Sequence, residues 1–416
     1  MKLVYIVSWL FALAVSFVSC DDWLDKTPKD RLYPDVYFKT EDELRLFTNQ
    51  FYNNLVPSAV DIYSESSDLI VKSDLMLEMS GQRIIPDEGN GWNFTALRDI
   101  NFYLQYSHNC TEVNARNRYD GVARFFRAYF YFEKVKRYGD IPWYDKALDS
   151  DDPELYKARD SREFVMQKML EDLDFAIANL PKTKNAYVLT RWTALALKSR
   201  VCLFEGTFRK YHGLEDYEKY LNACVSASET FMNESGYTLY KSGSTPYRDL
   251  FASINLQADE VIFGRDYEAS LSVLHNVQNY ENSTTMGRPG MNKKIVNSYL
   301  MADGSRFTDK AGYETMTFDQ ECQNRDPRLA QTIRTPGYTR IGSTKKEAPN
   351  LAYTMTGYHL IKYSMTANYD EYNKSCNDIP LFRTAEVYLN FAEAKAELGT
   401  LKQADINKSI KLLRDR

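Results

Sequence analysis

The chain has 416 residues, of which 44 % are apolar and 26 % charged, a composition typical of a globular protein and too apolar for a disordered one. Its formal net charge is −5 at pH 7, and this acidic balance argues against nucleic acid or anionic lipid as a general partner. No second long apolar run follows the first 20 residues, which excludes a polytopic membrane protein.

The N-terminus predicts a secretory signal. One basic residue, Lys2, precedes an apolar run over residues 3–18, and a small residue stands directly before Cys20. The run is shorter than the roughly 20 residues that a helix needs to cross a bilayer. A cysteine in this position resembles the lipidation site of a bacterial lipoprotein, so residues 1–19 are interpreted as a signal peptide and Cys20 as the lipidated residue. The alternative is an ordinary signal peptide that happens to carry a cysteine.

The remaining five cysteines do not have the spacing of a disulfide framework. They are sparse and odd in number, and no CxxC pair occurs among them. Cys202 and Cys224 fall in helical patterns, and we interpret them as small buried hydrophobic residues rather than metal ligands.

Helical periodicity dominates the first half of the chain. A helix is expected to begin after Thr40, which can cap it, and the three acidic residues that follow favour the helix dipole. Further helices are predicted over residues 96–106, 114–138, 162–180, 191–211 and 217–232. Because short turns join these helices, we expect neighbouring helices to pair and the pairs to stack as in a solenoid.

The pattern changes over residues 237–381, where glycine and proline recur and helical runs become short. We predict a long irregular insert there, with short strands at 260–264 and 357–363. Periodicity returns in a helix over 382–398, and a last helix is predicted over 403–416. Irregular segments held by a rigid scaffold are where binding groups tend to lie.

Six stretches carry a family resemblance through their order and spacing, although none of them is decisive alone. They are CDDWLDKTPKD at 20–30, GVARFFRAYFYFEKVKRYGDIPWY at 121–144, TRWTALALKSRVCLFEGTF at 190–208, SYLMADGSRF at 298–307, NRDPRLAQTIRTPG at 324–337 and FRTAEVYLNFAEAKAELG at 382–399. Together they resemble the SusD/RagB family of Bacteroidetes outer-membrane lipoproteins.

The resemblance implies a mostly α-helical fold of tetratricopeptide-like antiparallel helix pairs, with a long loop-rich insert and few short strands. It implies an N-terminal SusD-like helical domain over 20–236 and a ligand-side region with returning scaffold helices over 237–416. Family members commonly continue past the motif corresponding to residues 411–416, so the resemblance also implies a chain truncated at its C-terminus.

The function that the resemblance implies is glycan binding at the cell surface. Such proteins are anchored in the outer membrane by an N-terminal lipid and hand oligosaccharides to a SusC-like TonB-dependent transporter. The acidic pair Asp21–Asp22 resembles the signal that sends them to the cell surface. We expect no cofactor, no metal site and no nucleic-acid partner.

Sugar binding needs aromatic faces for the rings, with amide or guanidinium groups for the hydroxyls. Trp92 lies in a glycine-containing loop before the helix predicted at 96, about where the resemblance places a stacking tryptophan. Asn93 and Arg83 are candidate hydrogen-bond donors beside it. The alternative is that Trp92 packs its loop onto the scaffold.

A second candidate is the loop over residues 267–291, because connections of this length are usually functional or mobile. Tyr280 offers a stacking face, and His275 and Asn282 offer hydrogen-bonding groups. A lone histidine, however, more often has a structural role.

Enzymatic signatures are absent from the sequence, which contains no HExxH, GxSxG or GxxxxGK[ST] motif and no predicted catalytic residue. A glycosidase would need two carboxylates roughly 5–10 Å apart, and sequence alone does not show whether pairs such as Asp87 and Glu88 or Asp319 and Glu321 converge on one bond. We therefore expect a non-enzymatic glycan-binding lipoprotein. The alternative is a structural or peptide-binding accessory subunit of the transporter.

Overall fold

The computed structural model describes residues 37–59, 62, 68–86, 89 and 91–416, so the predicted signal peptide and Cys20 lie outside the described residues. Helices dominate and the strands are short. The helices are α1 (Glu41–Leu55), α2 (Leu77–Ser80), α3 (Thr95–Tyr106), α4 (Val113–Tyr138), α5 (Arg162–Asn179), α6 (Arg191–Tyr211), α7 (Tyr217–Glu234), α8 (Pro246–Ala252), α9 (Val277–Glu281), α10 (Lys293–Ser298), α11 (Phe318–Cys322), α12 (Pro327–Ala330), α13 (Thr384–Glu397), α14 (Gln403–Asn407) and α15 (Ile410–Arg414). The strands are β1 (Ile70–Val71), β2 (Val261–Arg265), β3 (Gly290–Met291) and β4 (Ile379–Arg383).

Capping side chains and a glycine with positive φ determine where two of the long helices begin and end. At the start of α1 the Thr40 hydroxyl accepts from the Glu43 backbone N–H at 3.3 Å, and the Glu43 carboxylate accepts from the Thr40 N–H at 3.0 Å. This reciprocal cap confirms the predicted start. Helix α4 ends at Gly139, whose φ of +70° is a conformation that glycine adopts at little cost.

The long helices pack in pairs, α4 against α5 and α6 against α7, and α13 packs on both members of the second pair. Gly206 permits a close approach within the second pair, because a Cβ there would lie 2.7 Å from Cγ of Leu221. The predicted helical scaffold with few short strands is thereby confirmed. Among the described residues, none of the helices is both long and apolar enough to cross a membrane.

The main hydrophobic core fills the space between α1 and α3–α7. Each of these helices contributes large buried side chains. Examples from α1, α3, α4, α5 and α6 are, in that order, Phe51, Tyr103, Phe126, Met169 and Trp192. A second core lies under the irregular region, around Leu250, Ile333 and Tyr363.

Strands β2 and β4 join the two cores as an antiparallel pair, with Val261 opposite Arg383 and Arg265 opposite Ile379. Ile262 packs in the main core, whereas its neighbour Val261 packs in the second. The strand predicted at 260–264 is confirmed, and it fixes the irregular region to the helical scaffold.

The strand predicted at 357–363 is wrong. His359 forms a single bridge with Gly290, and Leu360 forms another with Ile333. Because consecutive residues pair with two different segments, no continuous ladder develops, although the segment is largely buried.

The predicted helix over 403–416 is also wrong as a single helix, because it is divided into α14 and α15. Ser409 separates them with φ −135° and ψ −92°, outside the helical region. Its buried hydroxyl donates to the Asp405 carbonyl at 2.5 Å, which offers the backbone an alternative to continued helix.

All five described cysteines are free thiols. Cys202 and Cys224 are fully buried in a small cluster with Leu221 and Ala394, which confirms the interpretation of both as hydrophobic residues. Burial raises the pKa of the Cys202 thiol to about 12.

Candidate functional site

An open cleft of about 520 Å³ lies between the loop that leads into α3 and the segment 142–159 that follows α4. We call it the aromatic cleft. Trp92, Phe94, Tyr144 and Leu155 form much of its wall.

Trp92 is held by its neighbours but remains 39 % exposed at the cleft. Its ring makes edge contacts with Phe94 and Tyr138, at centroid separations of 5.3 and 4.9 Å. The guanidinium carbon of Arg159 lies 4.9 Å from the centroid of the same ring. The loop turns at Gly91, where φ is +87° and whose carbonyl accepts a hydrogen bond from Lys134 Nζ. Trp92 therefore packs its loop onto α4 and also lines the cleft.

The two polar candidates near Trp92 have other contacts. The Asn93 side-chain oxygen accepts from the Thr95 N–H at 2.8 Å, at the start of α3. Arg83 forms an ion pair with Glu78, with Nε 3.3 Å from Oε1, and is not among the residues that line the aromatic cleft. Of these three sequence candidates, the structure brings only Trp92 to the cleft wall.

The segment 142–159 supplies the opposite side of the cleft, which the sequence motifs did not identify. Tyr144 is anchored from two directions, since its carbonyl accepts from buried Asn101 at 2.8 Å and its hydroxyl donates to the Leu155 carbonyl at 3.2 Å. Its neighbour Trp143 is buried and stacks on Tyr131 at 4.3 Å, as expected for a structural residue. Leu155 lies in a short 3-10 helix, Pro153–Tyr156, which the Asp152 side chain caps, whereas Tyr144 is held by tertiary contacts.

A second cleft, of about 300 Å³, lies beside α9. We call it the tyrosine cleft because Tyr267, Tyr280 and Tyr372 line it, the last of them 64 % exposed. It shares no lining residue with the aromatic cleft. The structure thus places Trp92 and Tyr280 in different clefts rather than on one platform.

His275 borders the tyrosine cleft with both ring nitrogens engaged inside the protein. Nε2 lies 2.9 Å from the Asn377 carbonyl oxygen, and Nδ1 accepts from the Val277 N–H at 3.2 Å. Burial lowers the pKa of His275 to about 4, against the opposing effect of the hydrogen bond to Asn377. The neutral imidazole fixes the start of α9.

Asn282 is buried at the end of α9 and connects two arginines. Its side-chain oxygen accepts from Arg334 at 2.6 Å and from Arg340 at 3.0 Å, while its amide nitrogen donates to Ser364 at 3.0 Å. Asn282 is therefore held by internal hydrogen bonds and does not line the tyrosine cleft, whereas buried His275 does.

The chemistry available in the two clefts is stacking and hydrogen bonding. Within the described part of the chain, no group of three or more His, Cys, Asp or Glu side chains is placed to hold a metal ion. Of the residues that the structure describes, those that line the aromatic cleft include neither Asp nor Glu.

Two family models match the chain. Residues 250–416 match the SusD family, and residues 81–191 match the model described as starch-binding associating with outer membrane. The second range contains all the residues that line the aromatic cleft.

Individual proteins agree with these matches. SusD-like protein P2 of Formosa agariphila is 25 % identical, over 93 % of this chain and 76 % of its own length. A solved SusD-like carbohydrate binding protein from Bacteroides fragilis has a TM-score of 0.73 at 19 % identity, covering 91 % of this chain and 78 % of that one. A structure solved with a xylogluco-oligosaccharide has a TM-score of 0.58 at 17 % identity, covering 84 % of this chain and 70 % of that one. At these identities the two structures show a common fold.

Proposed function

The chain belongs to the SusD/RagB family, and from that premise we propose that it is a glycan-binding protein that captures oligosaccharides at the outer membrane. One observation carries the proposal, namely that half-exposed Trp92 lines an open cleft within the region matched by the starch-binding model.

The physical basis is the chemistry of pyranose rings. A sugar presents C–H groups on its faces, which pack on aromatic rings, and hydroxyls on its edges, which need donors and acceptors. The aromatic cleft supplies Trp92 and Tyr144 for the faces. Arg98 and Lys146 are charged donors on its lining for the hydroxyls.

We propose binding without catalysis. Hydrolysis of a glycosidic bond uses two carboxyl groups on opposite sides of that bond. No Asp or Glu is among the described residues that line the aromatic cleft, which supports a binding role there, as does the similar solved structure described as a carbohydrate binding protein.

The location and partner in this proposal rest on the sequence and on the family. Lipidation at Cys20 would tether the protein to the outer membrane, with the binding body exposed at the cell surface. A SusC-like TonB-dependent transporter would then receive the captured oligosaccharide.

The test is affinity gel electrophoresis of the purified protein against a panel of polysaccharides. Trp92→Ala is expected to weaken retention by about tenfold, or ~1.4 kcal/mol, because a stacking face is lost while the helices remain intact. Tyr211→Ala is the matched control, since Tyr211 is an exposed aromatic residue on α6, away from both clefts.

Three outcomes separate the alternatives. Unchanged retention of Trp92→Ala would remove Trp92 from the binding surface. Retention by no glycan, together with co-purification with a TonB-dependent transporter, would favour the accessory-subunit function. Release of reducing ends from any retained glycan would contradict the non-enzymatic proposal.

A further inference from the structure

We propose that the aromatic cleft selects anionic saccharides, those that carry carboxylate or sulfate groups. This inference rests on the proposed function and names the ligand class of the same site.

The first observation is the sign of the charges at the cleft. Among the described residues, every charged side chain on its lining is cationic, namely Arg98, Lys146, Lys157 and Arg159, although the chain as a whole carries a net charge of −5. A concave surface lined by one sign of charge concentrates ligands of the opposite sign.

The two lysines contribute little to this selection, because each already has a carboxylate partner. Lys157 Nζ lies 3.0 Å from Asp160, and Lys146 Nζ lies 3.4 Å from Glu154 and 3.8 Å from Asp152. These acidic residues do not line the cleft, and their negative charges offset the positive charges of the lysines.

Within the described residues, neither Arg98 nor Arg159 has a carboxylate within ion-pair distance, although Arg98 interacts electrostatically with the neighbouring Asp99. Arg98 Nε donates to the Leu148 carbonyl at 3.2 Å, which fixes the guanidinium and leaves its two terminal nitrogens for a ligand. Arg159 makes one long hydrogen bond, at 3.5 Å, to the Tyr138 carbonyl. A guanidinium presents paired donors that match the oxygens of a carboxylate or a sulfate.

Arg159 lies next to the aromatic surface on which a sugar ring would stack. Its guanidinium lies over the ring of Trp92, so a charged sugar that packs against this wall meets an aromatic surface and a cation together. Two further cations, Lys134 and Arg137, lie behind the loop at Gly91. Burial lowers the pKa of Lys134, repulsion from Arg137 lowers it further, and attraction to Glu133 raises it.

Pairs of polymers that differ only in charge test the inference. Polygalacturonate and its fully methyl-esterified form share one backbone, as do carrageenan and desulfated carrageenan, and xyloglucan is the neutral reference. We expect at least one charged polymer to bind about tenfold more tightly than its neutral counterpart, because a charge-assisted hydrogen bond is lost with the charge. The polygalacturonate pair reports on carboxylate and the carrageenan pair on sulfate. Competition by sodium sulfate at constant ionic strength reveals whether a free anion is sufficient.

The Arg159→Gln variant tests whether the preference for charged polymers arises at the aromatic cleft. We expect it to weaken binding of the preferred charged polymer by about tenfold and of the neutral polymer by less than about twofold. Arg118→Gln is the matched control, because Arg118 is an exposed arginine on α4 that pairs with Glu41 at 3.3 Å and does not line the cleft. It should bind every polymer as the wild type does.

The outcomes distinguish a failure of the anionic-saccharide inference from a failure of the proposed glycan-binding function. Equal or tighter binding of the neutral partner in both pairs overturns the inference and leaves the proposed function intact. An equal loss in Arg159→Gln and Arg118→Gln also overturns it, since the preference would then follow overall charge. Binding to none of the charged or neutral polymers counts against the proposed function itself.

Discussion

The Arg127 guanidinium and the Asp172 carboxylate form a bidentate ion pair inside the helical scaffold, with Nε–Oδ2 2.6 Å and Nη2–Oδ1 2.7 Å. Both side chains are buried, and they connect α4 to α5. Arg127 Nη1 also donates to Asn101 on α3 at 3.2 Å. Because Asn101 in turn anchors the Tyr144 carbonyl, the pair supports the floor of the aromatic cleft.

Asp172→Asn is expected to lower the free energy of unfolding by about 3–5 kcal/mol, because it leaves the Arg127 charge buried without a partner. Urea titration followed by circular dichroism measures the change. The control is Glu171→Gln, which breaks an exposed pair with Lys168 and should cost less than about 1 kcal/mol. Similar losses in both variants would contradict a specific role for the buried pair.

Trp92 and Tyr280 should contribute independently to glycan binding, because they lie in separate clefts that share no lining residue. In a double-mutant cycle with Ala at both positions, the coupling energy is expected to stay within about 0.5 kcal/mol of zero. Titration calorimetry of both single variants and the double variant provides the measurement. A larger coupling would indicate that one ligand chain contacts both residues.

Asn282→Ala should destabilise the fold by about 1–3 kcal/mol, because Arg334 and Arg340 both lose the oxygen that they share. Glycan affinity of the folded variant should equal that of the wild type, since Asn282 is buried. Asn407→Ala on exposed α14 is the matched control and should change stability little. Loss of affinity with unchanged stability would restore Asn282 as a ligand contact.

Stability should fall as the pH decreases from about 6.5 towards 4, because the pKa of buried His275 is lowered from 6.5 to about 4. In this window the unfolded chain takes up a proton that the folded protein excludes, so acid favours unfolding by up to about 3 kcal/mol for this residue. His359, whose pKa is lowered to about 3 by burial, acts in the same direction. Urea titrations between pH 4 and 7 should therefore give a smaller pH slope for His275→Gln than for the wild type. Identical slopes would contradict the prediction.

Cys20→Ser should abolish lipid attachment and move the protein from the detergent phase to the aqueous phase in Triton X-114 partitioning, because membrane binding would depend on the acyl chains. Mass spectrometry of the N-terminal peptide provides a second readout. Unchanged partitioning of the variant would show that Cys20 is not the anchor.

Periodicity and capping predicted the helical scaffold well, because helices such as α1, α5 and α6 carry apolar periodicity and a capping side chain of their own. The helix predicted over 191–211 has the bounds of α6, and the one predicted over 114–138 differs from α4 by a single residue. The break at Ser409 was missed, since a local side-chain hydrogen bond overrides an otherwise helical pattern.

The candidate site was predicted only in part. Trp92 was identified because it is an aromatic residue in a glycine-containing loop, at about the position where the family resemblance implies a stacking tryptophan, and the structure places it in the aromatic cleft. Arg159 was missed, because its position over Trp92 depends on how the segment after α4 folds back. Burial of His275 and Asn282 follows from long-range partners such as Asn377 and Arg334, which sequence spacing does not indicate.

Four of the five described cysteines are buried and Cys322 is partly buried, which makes the described part of the protein suited to site-specific labelling. Burial raises the pKa of Cys202 and of Cys322 to about 12, so their reactive thiolate forms are scarce at neutral pH. A cysteine introduced by Tyr156→Cys, at a position that is 86 % exposed and next to Leu155 of the aromatic cleft, should react with a maleimide dye far faster. A fluorophore there would report ligand entry in real time without removal of any native cysteine.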